Sequence, residues 1–186
     1  MKILFVCTGN TCRSPMAEAL LKHKMPNLEV QSAGIFAGHK ESANQKAIQV
    51  MAERDIALNH ESQPVTAELL TWSDLVLTMT TGHKQALIRE FPDYQHKYYT
   101  LKEFVIESDE ETWKNMENND ADIEDKRSLH EANEHRDKDG ENVGQLETAL
   151  ADYDITDPFG GDVQVYRETL EELDEYIEEL VKKMKP

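Results

Sequence analysis

The sequence predicts an α/β fold, a four-stranded parallel sheet with helices on both faces, and three observations predict it. Short runs rich in β-branched and aromatic residues, 2-KILFV-6 and 74-DLVLTM-79 the clearest, read as buried strands. Strand and helix signals alternate along the chain, which implies parallel strands joined by crossovers. The last stretch, 162–185, carries apolar residues at 163, 166, 170, 173, 177 and 180, the stripe of a long amphipathic helix packed back on a sheet.

Each element has its own signal. After the first strand comes a tight loop, 7–13, and then a helix over about 14–24. Ser14 is its expected N-cap, with Pro15 at the first helical position and Glu18 in the first turn. Met25-Pro26-Asn27 is a break, and 29–33 is a second strand ended by Gly34. A loop over 35–41 leads to a helix at 44–54, marked by Ala47, Ile48 and Met51. The loop 56–64 ends near Thr66, which with Glu68 begins a short helix to 71. After the third strand, Thr80-Thr81 caps a helix to about 90, and Phe91-Pro92-Asp93 breaks it. Residues 97–101 form a fourth strand and 102–106 start another helix. Lys182, Lys183 and Lys185 suit the negative end of the closing helix. In such a sheet the chemistry belongs at the carboxyl ends of the strands, where Cys7 falls.

The loop Cys7-Thr8-Gly9-Asn10-Thr11-Cys12-Arg13 carries the chemistry. A strand feeding a helix through a tight loop aims backbone N–H groups and the positive end of the helix dipole at one point, which suits a phosphate-sized anion. A thiol is a poor nucleophile until it ionises. The amide dipoles, the helix start and Arg13 all favour the thiolate at Cys7, and Ser14 can add a hydroxyl hydrogen bond to the sulfur. Arg13 offers a rigid fork for two phosphoryl oxygens. Gly9 permits a close backbone approach or a positive φ; Asn10 tolerates the left-handed region and can brace the loop through its side chain. Such a loop binds a phosphoryl group, with Thr8 to Cys12 and Ser14 around it, and attacks it from the sulfur. The leaving group then needs a proton donor. Asp157, in Asp157-Pro158-Phe159-Gly160-Gly161, is the candidate, because Pro158 and the two glycines shape that segment as a loop.

The string VCTGNTCRSPMAEAL, with DPFGG later, resembles the low-molecular-weight protein phosphatases over residues 1 to about 106 and about 155 to 186. The resemblance implies the Rossmann-like fold of the phosphotyrosine protein phosphatase I type. It implies Cys7 as nucleophile, Arg13 as oxyanion clamp, Ser14 as thiolate stabiliser, Asn10 as loop brace and Asp157 as general acid, then base. No metal and no organic cofactor are implied. A histidine packs beside this loop in the family, which makes His60 a candidate. Thr11 stands where tyrosine-specific members carry a bulky aliphatic residue, and a Thr there resembles the bacterial protein-arginine phosphatases. A hydroxyl can hydrogen-bond a guanidinium where an aliphatic side chain would pack on an aromatic ring, and Phe159 can stack on the guanidinium plane. The rivals are a phosphotyrosine phosphatase, an arsenate reductase, for which only Cys12 is available as a relay thiol, and an inactive phosphoprotein-binding module.

Composition bounds the rest. At 186 residues the chain is expected to be one domain, 1–186, and no run approaches a membrane span. Met1-Lys2 leads straight into the first strand with no signal-type segment, so a cytoplasmic protein is expected. Cys7 and Cys12 suggest redox sensitivity, with Cys12 capturing an oxidised Cys7 as a reversible disulfide. The net charge of −17 leaves no basic face for nucleic acid. Of that charge, −12 lies in 107–154, which holds 17 Asp or Glu against 5 Lys or Arg and few apolar residues. This acidic insertion before the general-acid loop reads as a solvated surface insertion, a lid or rim, or a docking segment for a basic partner, with helical turns at 128–135 and 146–150.

Overall fold

A computed structural model describes residues 1–107 and 153–184. Residues 108–152 of the acidic segment, with its expected helical turns, lie outside the described residues.

Four strands, β1 (Lys2–Cys7), β2 (Glu29–Gly34), β3 (Leu75–Thr78) and β4 (Tyr98–Thr100), form one sheet in the order β2-β1-β3-β4. All three pairings are parallel. The helices are α1 (Arg13–Lys24), α2 (Gln45–Ala52), α3 (Ala67–Trp72), α4 (Thr81–Glu90), α5 (Leu101–Glu107) and α6 (Val163–Met184). The period of two along β1 divides the core. Ile3, Phe5 and Cys7 join buried residues of α1, α2, α5 and α6. Leu4 and Val6 point the other way, to Leu70 of α3 and Leu87 of α4. Helices therefore cover both faces, as expected. Because β2 and β3 flank β1 on opposite sides, the carboxyl end of β1 is a topological switch point, where ligands of open α/β sheets bind.

Most boundaries fall within two or three residues of expectation. Asn44, Thr66 and Thr80 cap α2, α3 and α4 through their side chains. In α6 the expected stripe is buried at Tyr166, Leu170, Leu173, Ile177 and Leu180. The break at 91–93 opens into a 3-10 turn, Pro92–Lys97, where no helical element was expected. One local expectation fails. Cys12, not Ser14, is the N-cap residue of α1, without a side-chain cap bond, and the first turn holds no acidic residue. Ser14 lies inside the helix because its hydroxyl is engaged by the Cys7 sulfur and the Asn10 amide instead. No helix among the described residues is long and apolar enough to cross a membrane.

Candidate active site

Cys7 ends β1 with its side chain buried. Its sulfur receives the Asn10 backbone N–H at 3.2 Å and lies 2.9 Å from Ser14 Oγ. Asn10 Nδ2 donates to that same oxygen at 2.9 Å. The Ser14 hydrogen is thus left for the sulfur, since its other acceptor, the Ala33 carbonyl, is farther away at 3.4 Å. Two hydrogen-bond donors thus converge on one sulfur.

Asn10 is fully buried at φ 55°, in the left-handed region. Its amide uses every valence. Nδ2 donates to Ser14 Oγ and to Ser32 Oγ, both at 2.9 Å. Oδ1 accepts the Gln63 N–H at 2.9 Å and faces His60 Nε2 at 3.2 Å. His60 Nε2 also lies 2.8 Å from the Asn10 carbonyl, so that nitrogen must carry a hydrogen. His60 is therefore beside the loop, as the resemblance implied.

Gly9 departs from expectation. Its φ is not positive, and a Cβ there would meet nothing nearer than Thr11 Oγ1 at 3.8 Å. The strained conformation falls on Asn10, whose side chain makes it tolerable. The close approach falls on Gly34, where a Cβ would lie 2.6 Å from the Thr8 carbonyl and 2.9 Å from the Asn10 nitrogen. Glycine there lets the loop lie against β2, with Ile35 and Phe36 N–H groups donating to the Cys7 and Thr8 carbonyls.

Arg13 is 4% exposed. Its Nη1 donates to the Ile155 carbonyl at 3.2 Å and its Nη2 meets Asp157 Oδ2 at 3.1 Å. The Asp157 loop is a compact turn. Asp157 Oδ1 accepts the Phe159 N–H at 3.2 Å, and Gly161 N–H reaches the Pro158 carbonyl at 2.9 Å across Gly160 at φ 80°. Phe159 is 77% exposed at its tip. Lys46 of α2 donates to the Gly161 carbonyl, while Asn44 N–H holds the Thr11 carbonyl, so one helix start touches both loops.

Cys12 is buried, with its sulfur 3.3 Å from Tyr166 Oη and 3.7 Å from Thr11 Oγ1. Burial pushes its thiol above the usual range, against the lowering effect of those hydroxyls, and burial likewise raises the Tyr166 phenol. Both cysteines are free thiols. A cleft of about 570 Å³ opens between the loops, lined by Thr8, Arg13, Thr80, His83, Asp154, Ile155, Thr156 and Asp157. Thr11 and Phe159 do not line it. Among the described residues, no cluster of three or more His, Cys, Asp or Glu is arranged to hold a metal.

The sequence reading missed His83, Asp154, Tyr166, Lys46 and Gly34. The contacts that bring His83 to Thr8 and Cys12 to Tyr166 span 75 and 154 residues, and no local pattern encodes them. Gly34 alone left a trace, as a glycine directly after an apolar strand.

A strand-end sulfur, a buried guanidinium and a carboxylate around an anion-sized loop are the parts of a covalent phosphoryl-transfer site. The chain belongs to the low molecular weight phosphotyrosine protein phosphatase family, which it matches over residues 2–134. It is 38% identical over 189 residues to a protein-arginine-phosphatase of Bacillus subtilis, a match covering 100% of this chain and 97% of that protein. It is 42% identical over 110 residues to the low molecular weight protein-tyrosine-phosphatase PtpB of Staphylococcus aureus, covering 59% of this chain and 78% of that one. Among solved structures, a mutant of the YwlE arginine phosphatase with a phosphorylated active site serine matches with a TM-score of 0.73 and 37% identity, covering 100% and 96% of the two chains.

Proposed function

We propose that this chain is a cysteine-dependent protein phosphatase that hydrolyses phosphoarginine in proteins through a phosphocysteine intermediate. The observation that carries the mechanism is the Cys7 sulfur beneath the Asn10 N–H and the Ser14 hydroxyl, with Arg13 at the same loop. The phosphoryl oxygens take the loop amides of Thr8 to Arg13 and the Arg13 fork. Cys7 attacks phosphorus in line while the P–N bond to the guanidinium breaks. Asp157, released as Arg13 turns to the phosphoryl group, takes a proton from solvent and gives it to the leaving nitrogen. Asp157 then takes a proton from water, whose oxygen attacks phosphorus as the P–S bond breaks. Inorganic phosphate leaves and the thiolate returns.

The substrate class rests on likeness along the whole chain to a protein-arginine-phosphatase, against likeness over 59% of it to a tyrosine phosphatase, with Thr11 implicated by its place in the loop sequence alone. The phosphotyrosine reading is kept because that shorter match is at 42% identity. The test is kcat/KM on a phosphoarginine peptide and a phosphotyrosine peptide side by side. A preference for phosphoarginine of at least tenfold is expected, shrinking or reversing in Thr11→Ile. A wild-type preference for phosphotyrosine overturns the substrate and leaves the chemistry. Retained turnover in Cys7→Ala, which has no nucleophile at that position, overturns the covalent mechanism. We read 107–154 as an insertion in a single domain; loss of cooperative unfolding after deletion of about 110–150 would count against that.

A further inference from the structure

The loop is held unevenly. On its inner side Asn10, Ser32, His60 and Gln63 form the buried network described above. On its open side Arg13 is held at the far end by Ile155 and Asp157, and at the near end Thr8 Oγ1 meets His83 Nε2 at 2.8 Å. Thr8 is the first residue after the sulfur, and its side chain is exposed. Its carbonyl is fixed by the Phe36 N–H, which leaves the side chain to His83. The ring itself is well placed. It stands in the first turn of α4, where Thr80 Oγ1 accepts the His83 N–H at 3.1 Å and Asp154 Oδ1 accepts the Thr81 N–H at 2.7 Å. The start of α4 is thus tied to the segment that carries Asp157.

The proton on the ring can be assigned. His83 Nδ1 is buried without a hydrogen-bond partner. A bare lone pair is less costly there than a bare N–H, so the hydrogen belongs on Nε2, donated to Thr8 Oγ1. Burial, reinforced by the Arg13 charge, pulls the imidazole down to about 4 against the opposing pull of Asp154 and Asp157. The ring is therefore neutral near pH 7.

We propose that His83 is a positioning residue of this site, which by donating Nε2–H to Thr8 Oγ1 sets the first peptide of the phosphate-binding loop. This deepens the reading of the loop as a phosphoryl site and rests on it. A β-branched side chain has few χ1 states, so fixing its hydroxyl fixes the residue and the direction of the amide behind it. An amide misdirected at that point weakens the cradle for the ground state and the transition state alike.

The test uses the full chain and two readouts, the dissociation constant of inorganic phosphate and kcat/KM on the phosphoarginine peptide. A glutamine amide nitrogen can stand in for Nε2, whereas an asparagine nitrogen stands nearer Nδ1. His83→Asn and Thr8→Val should each weaken both readouts about three- to tenfold, as loss of one neutral hydrogen bond implies. His83→Gln should stay within about twofold of wild type. The double variant His83→Asn with Thr8→Val should be no worse than either single one, because both remove the same bond. Multiplying losses, equal rescue by Asn and Gln, or unchanged phosphate affinity in a folded Thr8→Val would overturn the proposal. A wild type that binds phosphate but hydrolyses neither peptide overturns the proposed activity alone, since the phosphate arm still decides on His83.

Discussion

Arg13 Nη2 and Asp157 Oδ2 meet at 3.1 Å, so the clamp proposed for the phosphoryl oxygens and the carboxyl proposed for the leaving group hold one another. The pair is lopsided, with the Arg13 side chain 5% exposed and that of Asp157 54% exposed. The carboxylate is the member free to move. A phosphoryl group must take the guanidinium from it. Asp157→Ala should lower kcat about 10²- to 10⁴-fold, the usual loss on removing a general acid. It should also tighten inorganic phosphate, because Arg13 no longer has a competing partner. Steady-state kinetics and a phosphate titration check both arms, and unchanged phosphate affinity would show that the ion pair does not compete with the ligand.

Two glycines near the loop should respond oppositely. Gly34→Ala places a Cβ 2.6 Å from the Thr8 carbonyl, against backbone that cannot yield cheaply. It should cost about 1–3 kcal/mol of stability, in the range for overpacking, and most of the activity. Gly9→Ala meets no described atom within 3.4 Å and has no positive φ, so the melting temperature should hold or rise slightly. Thermal melts of both decide. Equal destabilisation would mean that Gly9 is structural after all.

Peroxide should inactivate the enzyme reversibly through Cys7. Burial keeps Cys12 a thiol rather than a thiolate, so it should alkylate more slowly than Cys7 and only as the pH rises. Mass spectrometry of the labelled peptides orders the two. If Cys12→Ala recovers from peroxide with added thiol as fully as wild type does, Cys12 is not the resolving partner.

The buried imidazole of His83 leaves a mark on stability. Its value falls from 6.5 to about 4 on folding, so between those limits the unfolded chain binds a proton that the folded chain does not. Its contribution is unfavourable to folding as pH drops through that window, full below about 4 and absent above about 6.5. The denaturant midpoint of wild type should therefore fall more steeply from neutral pH toward pH 4 than that of His83→Gln. Parallel curves would place the titration elsewhere.

The frame of this molecule was legible because its signals are local. A six-residue apolar strand, a Ser/Thr/Asn cap before each of three helices and the stripe of α6 are all read within a few residues. The grouping at 7–14 was legible for the same reason, since thiol, guanidinium and hydroxyl lie within eight residues of chain. What escaped was anything supplied by a partner distant in sequence. Ser14 looked like a cap until the sulfur claimed its hydroxyl, and His83 looked like any helical histidine until the sheet brought α4 beside β1. Gly9 drew attention for a freedom that Asn10 in fact exercises.

Asn10 closes its position to evolutionary drift. Glycine would accept φ 55° but remove the donors to the Ser14 and Ser32 hydroxyls and the acceptor of the Gln63 N–H. Aspartate would keep the acceptor and lose both donors; glutamine would keep the amide and displace it by a methylene. Each single step away breaks either the backbone or the network, so a lineage could change this residue only by changing several of its neighbours together.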